Sequence, residues 1–285
     1  MRFIRYRNDA RNGLALLDGK TARGIFADDA RFPGELETLI CGGQGALEKA
    51  ADILRKGEEI DPETSDYLPV LGITGKIICL GINYIDHAKE TGNKVPPHPT
   101  IFTRFPSSLI GHRASLIRPR VSTQFDYEGE MVAVIGKSGR HIPKDEALDY
   151  VCGYTIFNDA SVRDYQFETT QWTLGKNFDG TGAIGPIFVT ADEVPKGGKG
   201  LKIETRLNGT VVQNSNTANL IYDVATCISY FSDAFEFAPC DILVTGTPPG
   251  VGWARKPQLF LKAGDICEVE IQGLGTLKNS IADEA

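Results

Sequence analysis

Short runs of alternating polar and apolar residues characterise the start of the chain. They extend from Arg2 to Arg7, from Leu14 to Leu17 and from Ala22 to Phe26. Alternation with a period of two is typical of strands that bury one face. The runs are separated by Asn12-Gly13 and Asp18-Gly19, pairs that favour the tight turns of hairpins. The pattern therefore predicts a small antiparallel meander.

The next segment changes to a helical period. Apolar residues recur three and four positions apart from Glu35 to Leu39 and from Ala46 to Arg55, which predicts two helices. The acidic, turn-rich stretch from Gly57 to Asp66 is typical of a linker. We therefore predict a small N-terminal domain over residues 1–69 and a larger domain over residues 70–285.

Strands dominate the rest of the chain. The strand-like runs are Lys76 to Leu80, 125 to 135, Val151 to Phe157, Ile203 to Leu207, Thr210 to Gln213, Ile242 to Val244 and Ile266 to Ile271. The predicted helices are Asn219 to Phe235, with the clearest apolar stripe, and two short ones at Lys144 to Tyr150 and Ala160 to Phe167. The predicted fold class is mixed α+β and strand-dominated.

The strand at 125–135 begins with three acids at alternate positions, and the apolar run after them indicates a buried strand. Residues two apart lie on the same face of a strand, roughly 7 Å from each other. Asp126, Glu128 and Glu130 are therefore predicted to share a face. Buried like charges are costly unless something neutralises them. A bound cation would do so, and a solvated acidic edge strand is the alternative.

A third metal ligand can come from the end of the next strand. Asp159 follows the buried run Val151 to Phe157, and a site made only of carboxylates suits Mg²⁺ or Mn²⁺ better than Zn²⁺. Glu128, Glu130 and Asp159 would leave about half of an octahedral shell for substrate oxygens and water. From spacing alone, Asp159 fits equally well as the N-cap of a helix beginning at Ala160.

Three further features indicate candidate chemistry. His87 and Glu90 are three residues apart, so on a helical turn the carboxylate can hold the imidazole as a general base. Lys176, in a glycine-flanked loop, could place an ammonium against an oxyanion. Thr247, within the glycine-rich run 246–252, could offer a hydroxyl where the backbone approaches a ligand. The plainer interpretations are a surface histidine, a solvated lysine and a turn between strands.

Composition excludes several classes of function. Lys and Arg total 30 against 37 acidic residues, a formal charge of -7, and basic residues do not cluster, which argues against a nucleic-acid partner. No apolar run has the length of a signal peptide or a membrane span, so we expect a cytoplasmic protein without a membrane partner. The six cysteines form no CxxC pair, as expected for buried thiols.

Several of these segments occur together in a specific order. They are Gly81-Ile82-Asn83-Tyr84 with His87 and Glu90, Tyr127-Glu128-Gly129-Glu130, Asn158-Asp159 with Arg163-Asp164, Gly175-Lys176, and Thr245-Gly246-Thr247-Pro248 with Gly250-Val251-Gly252. In this combination, from about Lys76 to Ile281, the chain resembles the fumarylacetoacetate hydrolase family.

The resemblance implies a β-roll core domain, a homodimer and a divalent ion. It also implies that His87 and Glu90 lie on a short segment that orders over bound substrate. The metal ligands that it implies are Glu128, Glu130 and Asp159, and the substrate contacts are Gln166, Lys176 and Thr247. Two positions depart from the family pattern. Cys240 precedes Asp241 where the family usually has Gly in a Pro-Gly-Asp turn. Arg104 stands where Lys is common, so Arg104 is expected to influence which acid is bound.

The implied activity is metal-dependent hydrolysis of a carbon-carbon bond in a 2,4-diketo acid of the acylpyruvate type, giving pyruvate plus a carboxylic or hydroxy acid. A 2,4-diketo-3-deoxy sugar acid is one such substrate. The alternative is an oxaloacetate-type decarboxylase or enol isomerase on the same metal site. A metal-stabilised dimer without catalytic activity is the hypothesis from another class.

Overall fold

The computed structural model describes residues 1–19, 21–72, 75–90, 92 and 94–285. Its α-helices are α1 (Leu36–Cys41), α2 (Gln44–Leu54), α3 (Ile85–Glu90), α4 (Arg163–Phe167) and α5 (Val224–Ser232). Its strands are β1 (Arg2–Asn8), β2 (Arg11–Asp18), β3 (Thr21–Phe26), β4 (Glu58–Ile60), β5 (Asp66–Tyr67), β6 (Ile77–Gly81), β7 (Thr100–Thr103), β8 (Leu109–Ile110), β9 (Leu116–Arg118), β10 (Phe125–Asp126), β11 (Gly129–Ile135), β12 (Val151–Asp159), β13 (Ser161–Val162), β14 (Gly182–Thr190), β15 (Lys202–Leu207), β16 (Thr210–Asn216), β17 (Ile242–Val244), β18 (Ile266–Ile271) and β19 (Gly275–Asp283). Short 3-10 helices are Pro106–Ser108, Ala147–Tyr150, Leu174–Lys176, Ala191–Glu193, Lys196–Gly198, Thr217–Asn219 and Gly252–Ala254.

One large sheet forms the centre of the molecule. Its strand order is β4-β3-β2-β1-β14-β12-β11-β17-β6-β7, with β5 added to β1 and β8 to β14. Most pairs are antiparallel, whereas β6 with β17 and β8 with β14 are parallel. A second sheet has the order β16-β15-β18-β19-β9. The predicted strand-dominated, mixed α+β class is confirmed.

The central strand β11 is buried on both faces. Its side chains alternate between two apolar cores, with Val132 and Val134 in one, and Met131, Ala133 and Ile135 in the other. A strand covered on both faces reads as a continuous apolar run, which is how the sequence presents it.

The predicted N-terminal meander is confirmed, but one of its turns lies elsewhere. The first hairpin turns at Asp9 and Ala10, whose φ angles are 49° and 64°, and not at Asn12-Gly13. Gly13 lies within β2, where an added Cβ would come 2.5 Å from the Tyr6 ring. The glycine therefore makes room for an aromatic ring. An Asn-Gly pair can mark either a hairpin turn or a position where a side chain would not fit, and the sequence alone does not distinguish the two.

The N-terminal part contributes strands to the same large sheet as the rest of the chain. β1 pairs with β14, so residues on either side of the predicted boundary share one sheet. The predicted linker from Gly57 to Asp66 contains β4, which pairs with β3 and buries Ile60. The interpretation as a linker is wrong because three residues suffice to extend a sheet edge. The division at residue 69 stays a prediction.

Helices α1 and α2 confirm the helical period of the sequence, whereas the predicted helices further on are shorter. The helix predicted from Asn219 begins only at Val224, because the Asp223 carboxylate accepts the Thr226 amide at 2.8 Å and caps the helix there. The segment predicted as a helix from Ala160 becomes helical only at Arg163. Among the described residues, no helix is both long and apolar enough to span a membrane.

Candidate active site

The metal ligands predicted from the sequence meet at one edge of the large sheet. β11 starts at this edge, and its antiparallel neighbours β12 and β17 end there. β6 is parallel to β17 and ends at the same edge. The Asp159 amide donates to the Glu128 carbonyl at 2.8 Å, which fixes the end of one strand beside the start of the next.

Three carboxylates form a compact buried cluster. Ligand oxygens of Glu128, Glu130 and Asp159 lie within 4.8 Å of one another. The residues are 6%, 1% and 0% exposed, and β11 is an interior strand, so a solvated acidic edge is excluded. The residue that precedes α4 is Val162, so Asp159 is not the cap of that helix. The predicted convergence of these acids is therefore confirmed.

Lys176 lies inside the cluster. Its Nζ donates to Glu128 Oε2 at 2.8 Å and to Asp159 Oδ2 at 2.7 Å. The residue is 1% exposed, so the interpretation as a solvated loop lysine is wrong. Burial lowers the pKa of Lys176, but Asp159 and Glu128 outweigh that effect and the pKa is raised. The ammonium thus stays charged between two carboxylates.

Two buried arginines hold the outer sides of the same acids. Arg104 Nη1 bonds Asp159 Oδ1 and its Nη2 bonds Thr181 Oγ1 at 2.7 Å. Arg163 Nη1 lies 2.5 Å from Glu128 Oε1. Arg104 lies behind Asp159 and away from the cavity wall described below. Its predicted influence on substrate choice stays a prediction, and its visible role is to orient a carboxylate.

Asp126 does not join the group of carboxylates formed by Glu128, Glu130 and Asp159, although Arg163 contacts both Asp126 and Glu128. The strand is interrupted after Asp126, because β10 pairs with β13 whereas β11 pairs with β12. The Asp126 carboxylate instead accepts Arg163 Nε at 2.9 Å and the amides of Gly252 and Trp253 at 2.8 and 2.9 Å. Asp126 therefore ties Arg163 to the loop that follows Thr247.

The two glutamates of the cluster have opposite electrostatic surroundings. For Glu128, burial opposes ionisation, but Lys176 and Arg163 prevail and lower the pKa to about 2. For Glu130, burial and the charges of Asp159 and Glu128 raise the pKa well above its usual value. Within the described residues no lysine or arginine nitrogen lies within 4.0 Å of Glu130, which accepts the Gly246 amide at 2.5 Å.

The cluster fits a divalent cation. It offers oxygen atoms only, which suits Mg²⁺ or Mn²⁺. Glu130 is the buried acid without a cationic partner in the described structure, so part of the negative charge is uncompensated. Glu128, Glu130 and Asp159 are therefore the residues that would hold the ion. Which ion is native stays a prediction.

The predicted His87 and Glu90 pair is present on α3. His87 Nδ1 lies 3.1 Å from Glu90 Oε2, and Glu90 Oε1 accepts the Gly250 amide at 2.8 Å. Their side chains are 12% and 24% exposed, so the histidine is not simply a surface residue. The carboxylate fixes the ring, and the glycine-rich loop fixes the carboxylate. The arrangement suits a general base.

A cavity of about 180 Å³ joins these groups. Its polar wall consists of His87, Glu128, Arg163, Gln166, Lys176 and Thr247. Its apolar wall includes Leu80, Ile82, Phe102, Phe167, Trp172, Val251 and Trp253. The cavity therefore brings a candidate base, a buried ammonium and the acidic cluster to one small space.

The other two predicted substrate contacts lie on the same wall. Gln166 Oε1 accepts Arg163 Nη1 at 2.8 Å. The Thr247 hydroxyl donates to the Gly129 carbonyl at 3.0 Å and accepts Gln213 Nε2 at 2.8 Å. Both side chains are held by neighbours before any ligand arrives. Their contact with substrate stays a prediction.

Sequence reasoning assigned no role to Arg163 or Trp172. Arg163 follows Asp159 by four residues. Its pairing with Asp126 and Glu128 depends on how the strands are aligned, and no pattern of neighbouring residues predicts it. Trp172 packs on Gly81, where an added Cβ would come 2.0 Å from the indole ring. The glycine that opens the Gly81-Ile82-Asn83-Tyr84 motif was the available signal for that contact.

Comparison with known proteins adds to this geometry. Residues 76–282 match the family model described as fumarylacetoacetate (FAA) hydrolase, C-terminal. Among curated proteins, a mitochondrial oxaloacetate tautomerase of Xenopus laevis is 38% identical over 288 residues, covering 99% of this chain and 90% of that protein.

Two solved structures are similar over the whole chain. A fumarylacetoacetate hydrolase from Exiguobacterium antarcticum superposes with a TM-score of 0.87 at 31% identity and covers 100% of both chains. A maleylpyruvate hydrolase from Sphingobium sp. SYK-6 has a TM-score of 0.81 at 26% identity, again over 100% of both chains. The similarity therefore includes the N-terminal meander as well as the acidic cluster.

Proposed function

The chain belongs to the fumarylacetoacetate hydrolase family, an enzyme family, and from this premise we propose that it acts on a small 2-keto acid through its enolate. The main reaction proposed is keto-enol tautomerisation of an oxaloacetate-type acid with a divalent ion bound. The observation that carries the proposal is that His87, held by Glu90, opens on the same small cavity as Glu128 of the acidic cluster.

Enolate formation places negative charge on the keto oxygen, and a divalent ion supplies positive charge against it when bound. The chain's own cations reinforce this. Lys176 and Arg163 both line the cavity, and both are buried, so their charges act in a space with little water. Preorganised positive charge of this kind lowers the barrier to an enolate.

Proton transfer falls to His87. Its imidazole would take a proton from the carbon next to the keto group, and the resulting imidazolium would give that proton to the enolate oxygen, which yields the enol; the reverse steps regenerate the keto form. Glu90 supports the imidazolium that exists between these steps. Because no bond to carbon other than C-H is broken, the mass of the acid is unchanged.

The size of the cavity supports a small substrate. At about 180 Å³ it is below the range of about 300–1,000 Å³ that is usual for drug-sized ligands. A keto acid with few carbons suits this space better than one with a long acyl chain. The relative from Xenopus laevis, named an oxaloacetate tautomerase, agrees with that choice.

Hydrolysis of the C-C bond in a short 2,4-diketo acid is the second candidate. The specific observation in its favour is the His87 and Glu90 pair, since a histidine held by a carboxylate can also take a proton from water. The similarity to a maleylpyruvate hydrolase supports it. Decarboxylation of oxaloacetate would need the same enolate stabilisation and no water.

One assay separates these reactions. The purified protein is given enol oxaloacetate or acetylpyruvate with Mg²⁺, with Mn²⁺ or with EDTA, absorbance is followed in the ultraviolet, and products are identified by mass. We expect the oxaloacetate enol signal to decay faster with protein and ion while the mass stays unchanged. Pyruvate with acetate from acetylpyruvate would establish hydrolysis, and pyruvate with carbon dioxide from oxaloacetate would establish decarboxylation.

Glu130→Gln tests whether the reaction needs the bound ion. The amide oxygen can still accept the Gly246 N-H, so only the negative charge of the side chain is lost. The variant should fold, bind Mg²⁺ poorly and lose activity. If EDTA lowers the melting temperature but neither acid is consumed under any condition, the chain is a metal-stabilised module and the enzymatic proposal fails. A homodimeric state and a cytoplasmic location stay predictions.

A further inference from the structure

Cys240 occupies an unusual backbone position. Its φ is 68°, in the left-handed region, where a side chain beyond Cβ crowds the backbone and glycine is favoured. The turn leads into β17 and is held by Asp241, whose Oδ2 accepts the Ala238 amide at 2.8 Å. A cysteine is therefore kept where glycine would fit with less strain.

The Cys240 thiol lies against α1. Its Sγ is 3.7 Å from the carbonyl oxygen of Glu37, in the first turn of that helix. Cys41 is one turn later, and helical side chains point back over the preceding turn. The Cys41 side chain therefore covers the same patch of helix surface that the Cys240 thiol contacts.

The two thiols differ in access to solvent. Cys41 is exposed, whereas Cys240 is only 4% exposed. Burial raises the pKa of the Cys240 thiol, which makes it a poor first nucleophile. Among the cysteines, all of which the structure describes, Cys41 is the exposed one. An oxidant from solvent would therefore react first with Cys41.

We infer that Cys41 and Cys240 form a reversible disulfide on exposure to a hydroperoxide. The Cys41 thiolate attacks the peroxide oxygen, which gives a sulfenic acid and hydroxide. The Cys240 sulfur then attacks the Cys41 sulfur, the S-S bond forms and water leaves. In total, two thiols lose two electrons and two protons, and one hydrogen peroxide becomes two waters.

The bond would join α1 to the turn before β17, two segments far apart in sequence. A cross-link over so long a loop restricts the unfolded chain strongly, so we expect the melting temperature to rise by on the order of 5 °C. The active site lies beyond the other end of β17, at Thr247, and the cross-link touches none of its residues. Turnover should therefore change by less than about twofold.

The test uses the full chain, treated with hydrogen peroxide at low excess or with dithiothreitol. We expect a peptide pair joined through Cys41 and Cys240, a loss of two titratable thiols and a higher melting temperature, all reversed by dithiothreitol. Cys41→Ser should abolish all three changes. Cys240→Gly suits the left-handed turn, so it should fold well and also abolish them, and Cys240→Ala separates loss of the thiol from relief of strain.

Three results would overturn the inference. The first is a link between Cys41 and Cys152, whose side chain is half-buried nearby, in place of one to Cys240. The second is Cys41 oxidised to sulfinic acid with no cross-linked peptide. The third is a peroxide-dependent rise in melting temperature that persists in Cys240→Gly.

Discussion

The ammonium of Lys176 lies 2.7 Å from a carboxylate oxygen of Asp159, one of the three acids that would hold a metal ion. The same nitrogen lies 2.8 Å from Glu128. Lys176 therefore partly neutralises the cluster and competes with a divalent ion for its charge. The remaining acid, Glu130, is the one whose ionisation is held back, so a bound ion would complete the neutralisation.

Replacing Lys176 with Met should separate its role in neutralising the buried carboxylates from its competition with a divalent ion. Without the ammonium, two buried carboxylates lose their partner, and the metal-free protein should lose about 3–5 kcal/mol of unfolding free energy. Mg²⁺ should bind at least about tenfold more tightly, because its competitor is gone, while turnover falls by about 10²–10³-fold with the loss of a buried cation. Thermal melts and calorimetric titration with Mg²⁺ measure the first two effects.

The control for that experiment is Lys196→Met, an exposed lysine away from the cluster. It should leave stability, Mg²⁺ affinity and turnover within error of the parent. If Lys176→Met binds Mg²⁺ more weakly than the parent, the two cations do not compete and the charge argument is wrong.

His87→Ala should lower turnover by about 10²–10⁴-fold, since it removes the proposed proton carrier. Glu90→Gln should lower it less, because the imidazole remains but loses its charged support. His141→Ala is a matched control: His141 also pairs with a carboxylate, Asp233, at 3.0 Å, but both side chains are more than half exposed. Full turnover in His87→Ala would show that the base lies elsewhere.

Asp126→Asn should perturb Arg163 without touching the acidic cluster directly. The amide cannot accept at both oxygen positions, so either Arg163 or the amides of Gly252 and Trp253 lose a partner. We expect a loss of about 3–5 kcal/mol of stability, as for a broken buried ion pair, and a rise in KM as the cavity wall shifts.

The comparison for Asp126 is Asp28→Asn. Asp28 forms a short ion pair with Arg11, but at 61% and 49% exposure. Such a pair is worth about 0–1 kcal/mol. Equal effects of the two substitutions in thermal and denaturant unfolding would contradict the positioning role of Asp126.

Stability should also fall in mild acid because of His112. Burial, with Arg113 and Lys278 nearby, lowers the pKa of His112 from 6.5 to about 4. Its Nδ1 accepts the Lys278 amide at 3.0 Å, an interaction that protonation breaks. The folded state therefore binds fewer protons than the unfolded state between these values. The contribution of the neutral ring is present above pH 6.5 and is lost as the pH falls through about 4.

The expected loss is at most about 3 kcal/mol between those limits. His112→Asn keeps an acceptor for the Lys278 amide but does not titrate, so its unfolding free energy should depend less on pH in this range. His141→Asn, at an exposed pair with Asp233, is the matched substitution control. A parent and a His112→Asn curve with the same slope between pH 6.5 and pH 4 would refute the assignment.

The sequence by itself determined the features that depend on neighbouring residues. Strand alternation put Glu128 and Glu130 on one face, helical spacing paired His87 with Glu90, and the apolar run after Glu130 showed that the acids are buried. These follow from periods of two and 3.6 residues, which act over a few positions.

Only the tertiary structure decided what each charge meets. Asp126 has the same alternate spacing as Glu128 and Glu130, but the strand is interrupted after it, and its carboxylate pairs with Arg163. Lys176 reaches Asp159, and Arg104 reaches the same acid from the far side, through strand register and chain reversal. Contacts between distant segments are set by how whole strands pair, and no local period encodes them.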